Sequence, residues 1–330
     1  MENSNSSPKQ SNTARYLVIF LVIFIGIIAL FSCIMVFMMS ASLSALSTQS
    51  YFLDKFTVNP EQADIGVVKI EGPIYKVDRV LKNLDRFNES KKMKAVVVII
   101  DSPGGAVVPS HKVYKKLKNI SKTKDIYVCM ENVCASGGYY IAVAGKEVWT
   151  SPGTITGSIG VIAQFMKTKE LLDKIGVDVT VVKSGKFKDI GSPQRDMTEA
   201  ERELIQDLID DTYSDFFNIV KAERLLRILD KLKETNPNAT EEDAFNLLKE
   251  QTDGRIFSGN QAVRMGFADK IGDYDELIEY LKKKYNIEKP KISRPKKKPD
   301  FFRFVEETEE MLDYRLYGIR SEILLKYSVL

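Results

Sequence analysis

Lys94–Leu117 reads KAVVVIIDSPGGAVVPSHKVYKKL. The β-branched run Lys94–Ile100 has the pattern of a strand covered on both faces. It ends in Asp101-Ser102-Pro103-Gly104-Gly105, after which Val107–Leu117 carries apolar residues at helical spacing. A strand, a glycine turn and a helix in that order leave backbone N–H groups open at the turn, where an anion can sit. Upstream, Asp64–Ile70 (DIGVVKI) is a second β-branched run, and Lys76–Phe87 between the two has helical periodicity, giving β-α-β. Downstream follow the strand-like Asp125–Met130, the segment Cys134–Ala144 (CASGGYYIAVA), the loop Ser151–Gly160 (SPGTITGSIG) and the strand-like Val177–Val182. This alternation predicts an α/β domain with a largely parallel sheet under helices.

The flanking sequence divides the chain further. Thr198 with Glu201 is a capping-box signature that opens a long amphipathic helix to about Val220; Glu242–Lys249 and Asp275–Lys284 read as surface helices. Lys282–Pro299 is a basic, breaker-rich linker that ends the core. A last helix is expected from Asp300, with acids early and Arg315, Arg320 and Lys326 late, as the helix dipole favours. At the other end, Tyr16–Met39 holds no charge and is long enough, at about 1.5 Å per helical residue, to cross a bilayer core of roughly 30 Å. Lys9 and Arg15 precede it and the next basic residue is Lys55, so the N-terminus is expected to be cytoplasmic and the bulk extracytoplasmic. The apolar stretch exceeds the core of a cleaved signal, which favours retention as an anchor. The expected organisation is a cytoplasmic tail over 1–15, a transmembrane helix over 16–39, a tether over 40–63, a catalytic domain over 64–285, and a linker with a helical extension over 286–330.

Composition excludes several classes of function. With 48 Lys and Arg against 45 Asp and Glu, the net charge of +3 lacks the basic excess of a nucleic-acid binder. Cys33, Cys129 and Cys134 form neither a disulfide framework nor a metal-binding pattern. His111 is the sole histidine, which rules out multi-histidine metal sites and leaves no cofactor or metal to expect. Ser136, in Ala135-Ser136-Gly137-Gly138, stands among small residues before an apolar run and reads either as a helix N-cap or as an accessible nucleophile. A nucleophilic serine needs a base. His111 has no identifiable triad partner and reads as a surface or interface residue. A lysine serves instead if desolvation lowers its pKa toward neutrality, and Lys183, Lys186 and Lys188 in VVKSGKFKDI are the candidates. Spacing does not choose among the three.

Four motifs in order make the sequence recognisable: DSPGG at Asp101–Gly105, ASGGYYIA at Ala135–Ala142, TGSIGV at Thr156–Val161 and SGKFKDIGSP at Ser184–Pro193. With GRIFSGNQAVRMGFAD at Gly254–Asp269, they resemble bacterial signal peptide peptidase A over Asp64 to about Gly272. The resemblance implies a crotonase/Clp-protease-like fold, here a β-α-β superhelical core behind the transmembrane helix. It implies Ser136 as nucleophile, Lys188 as general base, Ser158 as the residue orienting the lysine, and an oxyanion hole from Gly104, Gly105 and Gly137. It also implies membrane-embedded remnant signal peptides as substrates, and a ring-shaped homo-oligomer with sites shared between subunits. An uncharged lysine base predicts activity rising toward alkaline pH. The alternatives are a catalytically silent membrane scaffold of the same fold, which should have lost the serine, lysine or glycines, and a crotonase-type acyl-CoA enzyme. The apolar end Tyr327–Leu330 is a further candidate, as an autoinhibitory mimic of substrate.

Overall fold

The structure, a computed structural model, describes residues 19–35 and 56–296, which fall into two units divided between Lys55 and Phe56. In the first unit, residues 19–35 form one helix of about 25 Å, with its apolar side chains exposed. Among the described residues no helix is long and apolar enough to cross a membrane, so the expected transmembrane helix is not met by any described element. The rest of that span (16–18 and 36–39), the tail 1–15 and residues 40–55 of the tether lie outside the described residues. So do 297–330, with the helix expected from Asp300 and the apolar end.

The second unit is α/β. Its strands are β1 (Ile65–Glu71), β2 (Ala95–Ser102), β3 (Asp125–Ala135), β4 (Glu147–Thr150), β5 (Ile155–Gly157), β6 (Ile256–Ser258), β7 (Lys270–Ile271) and β8 (Ile292–Ser293). The helices are α1 (Asp78–Glu89), α2 (Val107–Ile120), α3 (Gly137–Ala142), α4 (Lys169–Lys174), α5 (Glu199–Thr235), α6 (Glu241–Gln251), α7 (Gly259–Met265) and α8 (Tyr274–Tyr285). One sheet runs β6-β5-β3-β2-β1-β8, with β4 branching from β3 to β7. Every pairing is parallel except β5 with β6. The unbroken apolar runs have a simple cause: alternate residues face two separate cores. Val68, Val98, Val128 and Met130 join the larger core with α1, α2, α3 and α5, whereas Val67, Val97, Ile99 and Tyr127 face Leu277, Ile278 and Leu281 of α8. Burying each such Val, Ile or Leu stabilises the fold by about 1.5–3 kcal/mol, enough to specify the register on both faces.

The long strand β3 positions the site. Its first half pairs with β4 through Tyr127–Met130, and its second half pairs with β5 through Val133–Ala135. The chain then turns directly into α3, whose residues are all buried.

Four expectations need correction. Ser151–Gly160, expected as a loop, holds β5 at Ile155–Gly157, paired with both β3 and β6. Val177–Val182 forms no strand; it lies in a largely exposed stretch without a ladder partner, and Val182 is 95% exposed. β-Branched composition alone does not make a strand where no edge is offered. The helix opening at Thr198 carries the expected capping box but runs to Thr235, because Arg224, Ile228 and Leu229 continue its buried face past Val220. Part of the basic linker joins the sheet: Ile292 and Ser293 pair with Ile65 and Gly66, and Ser293 Oγ donates to the Val58 carbonyl at 2.7 Å.

Candidate active site

Ser136 links β3 to α3 with φ 51° and ψ −119°. This backbone region is unfavourable for a residue with a side chain, and it persists where neighbouring structure over-determines it. The restraint here comes from both sides: the Ser136 amide donates to the Gly157 carbonyl at 2.9 Å, and its carbonyl accepts from the Tyr140 amide at 2.9 Å. Ser136 is half-buried while Gly137, Gly138 and Tyr139 behind it are fully covered. Tyr139 fixes that short helix by donating to the Phe267 carbonyl at 2.8 Å.

The glycine turn after β2 packs against this serine. Gly104 has φ 105°, and a Cβ there would stand 2.8 Å from Ser136 Cβ and 2.8 Å from the Gly137 nitrogen, so neither the torsion nor the space admits a side chain. Gly105 is pinned to Ile74, whose amide donates to the Gly104 carbonyl and whose carbonyl accepts from the Ala106 amide, both at 2.9 Å. That bridge leaves the Gly105 N–H out of the ladder. Gly137 is the first residue of α3, so its N–H has no acceptor within the helix. The two segments are in contact: a Cβ on Gly137 would be 3.3 Å from the Gly105 nitrogen. Against the same position of Gly137 sits buried Ser110, 2.5 Å from that Cβ, whose hydroxyl donates to the Ala106 carbonyl at 2.9 Å. Two such N–H groups beside a serine would be able to receive an oxyanion if that serine acts as a nucleophile.

Ser158 enters from β5. It follows Gly157, the residue bonded to Ser136, and shares its φ of 51°. Its amide donates to the Arg255 carbonyl at 2.8 Å. The structure therefore brings Ser136, Gly104, Gly105, Gly137 and Ser158 to one place, at the ends of β2, β3 and β5.

The lysines are arranged differently. Lys183 forms an ion pair with buried Asp189 and donates to the Lys186 carbonyl at 3.0 Å. Lys186 places its amine 5.0 Å from the Phe187 ring centroid. Lys188 is exposed; its amide donates to the Gly185 carbonyl, and among the described residues its amine has no ion pair or hydrogen bond. Within one chain no hydrogen bond joins Lys188 to Ser136 or Ser158.

The loop carrying these lysines is tied down by charges that the sequence motifs did not flag. Arg195 Nε donates to Asp189 at 2.9 Å and Nη1 to Glu201 at 2.8 Å. Its guanidinium holds the Asp189 carboxyl well below the ordinary carboxylate range and brings Glu201 down to about 2. The signal available was Glu201 in the capping box: a carboxylate buried at a helix start requires a cation. The motif at Gly254–Asp269 also has a structural cause. Buried Arg224 donates to the Gly266 carbonyl at 2.9 Å and to Asp269 at 3.0 Å, which latches α5 onto α7 and β7.

Other candidates lie apart from the chemistry. His111 pairs with Tyr140 at 2.8 Å, matching a satisfied surface histidine. Cys129 and Cys134 are buried, which pushes both thiols up, that of Cys129 to about 12. A cleft of about 250 Å³ lined by Lys146, Arg227, Lys231 and Lys270 also holds Glu147, Asp230 and Asp269, so its charges are largely matched. Among the described residues no cluster of His, Cys, Asp or Glu has the form of a metal site.

The same segments match known protein families. The family described as peptidase family S49 matches residues 118–245, which span Ser136, Ser158 and Lys188, and the Clp protease family matches residues 66–152, which span the glycine turn and Ser136. A Synechocystis sp. protein named as a protease is 39% identical over 218 residues, covering 66% of this chain and 72% of its own length. An Enterococcus faecium protein named as a signal peptide peptidase SppA is 34% identical over 235 residues, covering 71% of this chain and 63% of its own length. The chloroplastic serine protease SPPA of Arabidopsis thaliana is 28% identical over 272 residues, covering 80% of this chain and 38% of its own. The chain thus spans less than two thirds of the latter two. A parallel α/β core, a glycine turn set against a strained serine and these relatives lead to one assignment: the chain belongs to peptidase family S49 and is a serine protease by class.

Proposed function

We propose that this protein is a membrane-anchored endopeptidase that cleaves remnant signal peptides and other extended apolar peptides with a Ser136/Lys188 dyad. The observation that carries the reading is the junction of strained Ser136 with the Gly104-Gly105 turn, which packs against Ser136 and Gly137. In this mechanism the neutral Lys188 amine takes the Ser136 proton as the hydroxyl attacks the peptide carbonyl. The two amides then receive the oxyanion, and each such donor is commonly worth about 3 kcal/mol of transition-state stabilisation. The lysine returns the proton to the departing amine, and water hydrolyses the acyl-enzyme through the same base. Ser158, at the end of β5, holds the amine in line.

An exposed lysine is a poor base because water favours its charged form, so Lys188 needs a covering surface. The stretch before it supplies a reason for one. Ile162, Met166, Leu171, Ile175 and Val182 are all more than half exposed, an apolar surface that a second copy would bury. A homo-oligomer with Ser136 and Lys188 contributed by neighbouring copies accounts for both features. The uncharged residues 16–39, preceded by Lys9 and Arg15, support an anchor with the N-terminus cytoplasmic and the catalytic unit on the extracytoplasmic side. This location suits peptides left in a bilayer.

The test is peptidase activity of the full chain in detergent. Ser136→Ala and Lys188→Ala should each lower kcat by at least about a thousandfold, whereas Lys183→Ala and Lys186→Ala should keep measurable turnover. Near-normal turnover in Lys188→Ala with loss in Lys183→Ala would transfer the base role to Lys183.

A further inference from the structure

The two strands that form the site do not stay in register. From Ala95 opposite Asp125 to Ile100 opposite Met130 the pairing of β2 with β3 is regular, yet Ser102 faces Cys134. The single residue Asp101 therefore stands opposite Glu131, Asn132 and Val133, and β3 carries its surplus as a bulge. Asp101 fills that bulge. Its Oδ1 accepts from the Val133 amide at 3.1 Å, its Oδ2 accepts from Asn132 Nδ2 at 2.9 Å, and its carbonyl accepts from the Gly72 amide at 3.0 Å.

The slip has a direct consequence for the chemistry. With it, Ser136 lies against Gly104. Without it, the regular register would carry Cys134 to that place and leave Ser136 beyond the glycine turn. The same slip sets the second half of β3 against β5, so that Ser136 bonds Gly157 and Ser158 follows.

We infer that Asp101 is a positioning residue for catalysis: its carboxylate holds the β3 bulge in the register that places the Ser136 hydroxyl at the Gly105 and Gly137 amides. This rests on the reading of Ser136 as nucleophile. The Asp101 carboxylate bonds Val133 and Asn132 and not Ser136, so its loss should misalign the attack while leaving peptide binding largely intact.

The experiment uses the full chain in detergent, with kcat and KM for a peptide and the rate of Ser136 labelling by a small fluorophosphonate. Asp101→Ala should lower kcat and labelling about a hundredfold, the usual cost of misplacing a reacting group by roughly 1 Å, with KM changed less than about threefold. Asp101→Asn keeps a carbonyl oxygen for the Val133 amide, and the Asn132 amide can rotate to accept from it, so most of the loss should be recovered. Asn132→Asp sets a second carboxylate against Asp101 on an exposed residue that folding tolerates; it should lower kcat about tenfold, also with little change in KM, and it serves if Asp101→Ala does not fold. The inference is overturned if Asp101→Ala retains kcat within twofold, if the Asn variant falls as far as the Ala variant, or if Asn132→Asp leaves kcat unchanged. Ser136→Ala is the separating control. If it abolishes labelling while the Asp101 and Asn132 variants behave as wild type, only the positioning role fails; if it leaves turnover intact, the nucleophile assignment fails.

Discussion

At the scale of residues, the site is marked by backbone torsions that its side chains disfavour. Ser136 and Ser158 both have φ 51°, and Ser136 combines it with ψ −119°, a pairing that suits glycine. Strain of this kind costs about 1–3 kcal/mol and is retained where function needs the side chain. Ser136→Gly should therefore abolish peptidase activity and yet raise the unfolding free energy by about 1 kcal/mol, read as a shift in denaturant midpoint at constant slope. A Ser136→Gly chain less stable than wild type would mean that the serine side chain itself stabilises the turn. The glycines of the turn were legible in DSPGG, as was an anion seat at their N–H groups, but what they pack against was not. A glycine pair in sequence is compatible with any tight turn, and only the fold sets this one against Ser136 and Gly137.

At the scale of elements, the longer strands and helices of the sheet and core followed from periodicity, whereas the short β4, β5 and β6 did not. Lys94–Ile100 became β2, Asp64–Ile70 became β1, and the capping box at Thr198 opened α5. Val177–Val182 has equally strong β composition and no ladder, since pairing depends on an available edge and not on the residues alone. The start of α5 carries a pH-dependent contribution. Glu201 is buried against Arg195 and titrates near 2, below its ordinary value of 4.5. A depressed carboxyl stabilises the fold above its unfolded value and ceases to do so as pH falls through its folded value. Glu201→Gln should accordingly cost about 2 kcal/mol at pH 7, and the difference from wild type should close between about pH 4.5 and pH 2 in urea unfolding. A difference constant across that window would assign the loss to packing instead of charge.

At the scale of the molecule, the serine and the lysine belong to parts of the fold that are secured differently. Ser136 sits on a buried strand and helix, whereas Lys188 sits in an exposed loop bounded by the Arg195 network. If neighbouring copies complete the site, inactive Ser136→Ala and Lys188→Ala chains should complement when co-assembled, with roughly a quarter of the sites restored in an equal mixture. Val182→Asp, on the exposed apolar stretch, should in the same assay lower both oligomer mass and activity with the dyad untouched. Failure of the mixture to regain any activity, with mixed oligomers verified by mass, would place Ser136 and Lys188 of each site in one chain.

The sequence by itself determined the class of fold, since unbroken β-branched runs separated by helical periods have few solutions other than a covered parallel sheet. It also singled out the candidate segments for chemistry, because glycine turns and small-residue serine motifs are local signals. Only the tertiary structure decided how they meet. The two-residue slip between β2 and β3, the pairing of Ser136 with Gly157, and the capture of Lys183 by Asp189 all join residues whose neighbours in sequence carry no record of the partner. Register and ion pairing are set by packing across strands and loops, which local pattern does not encode.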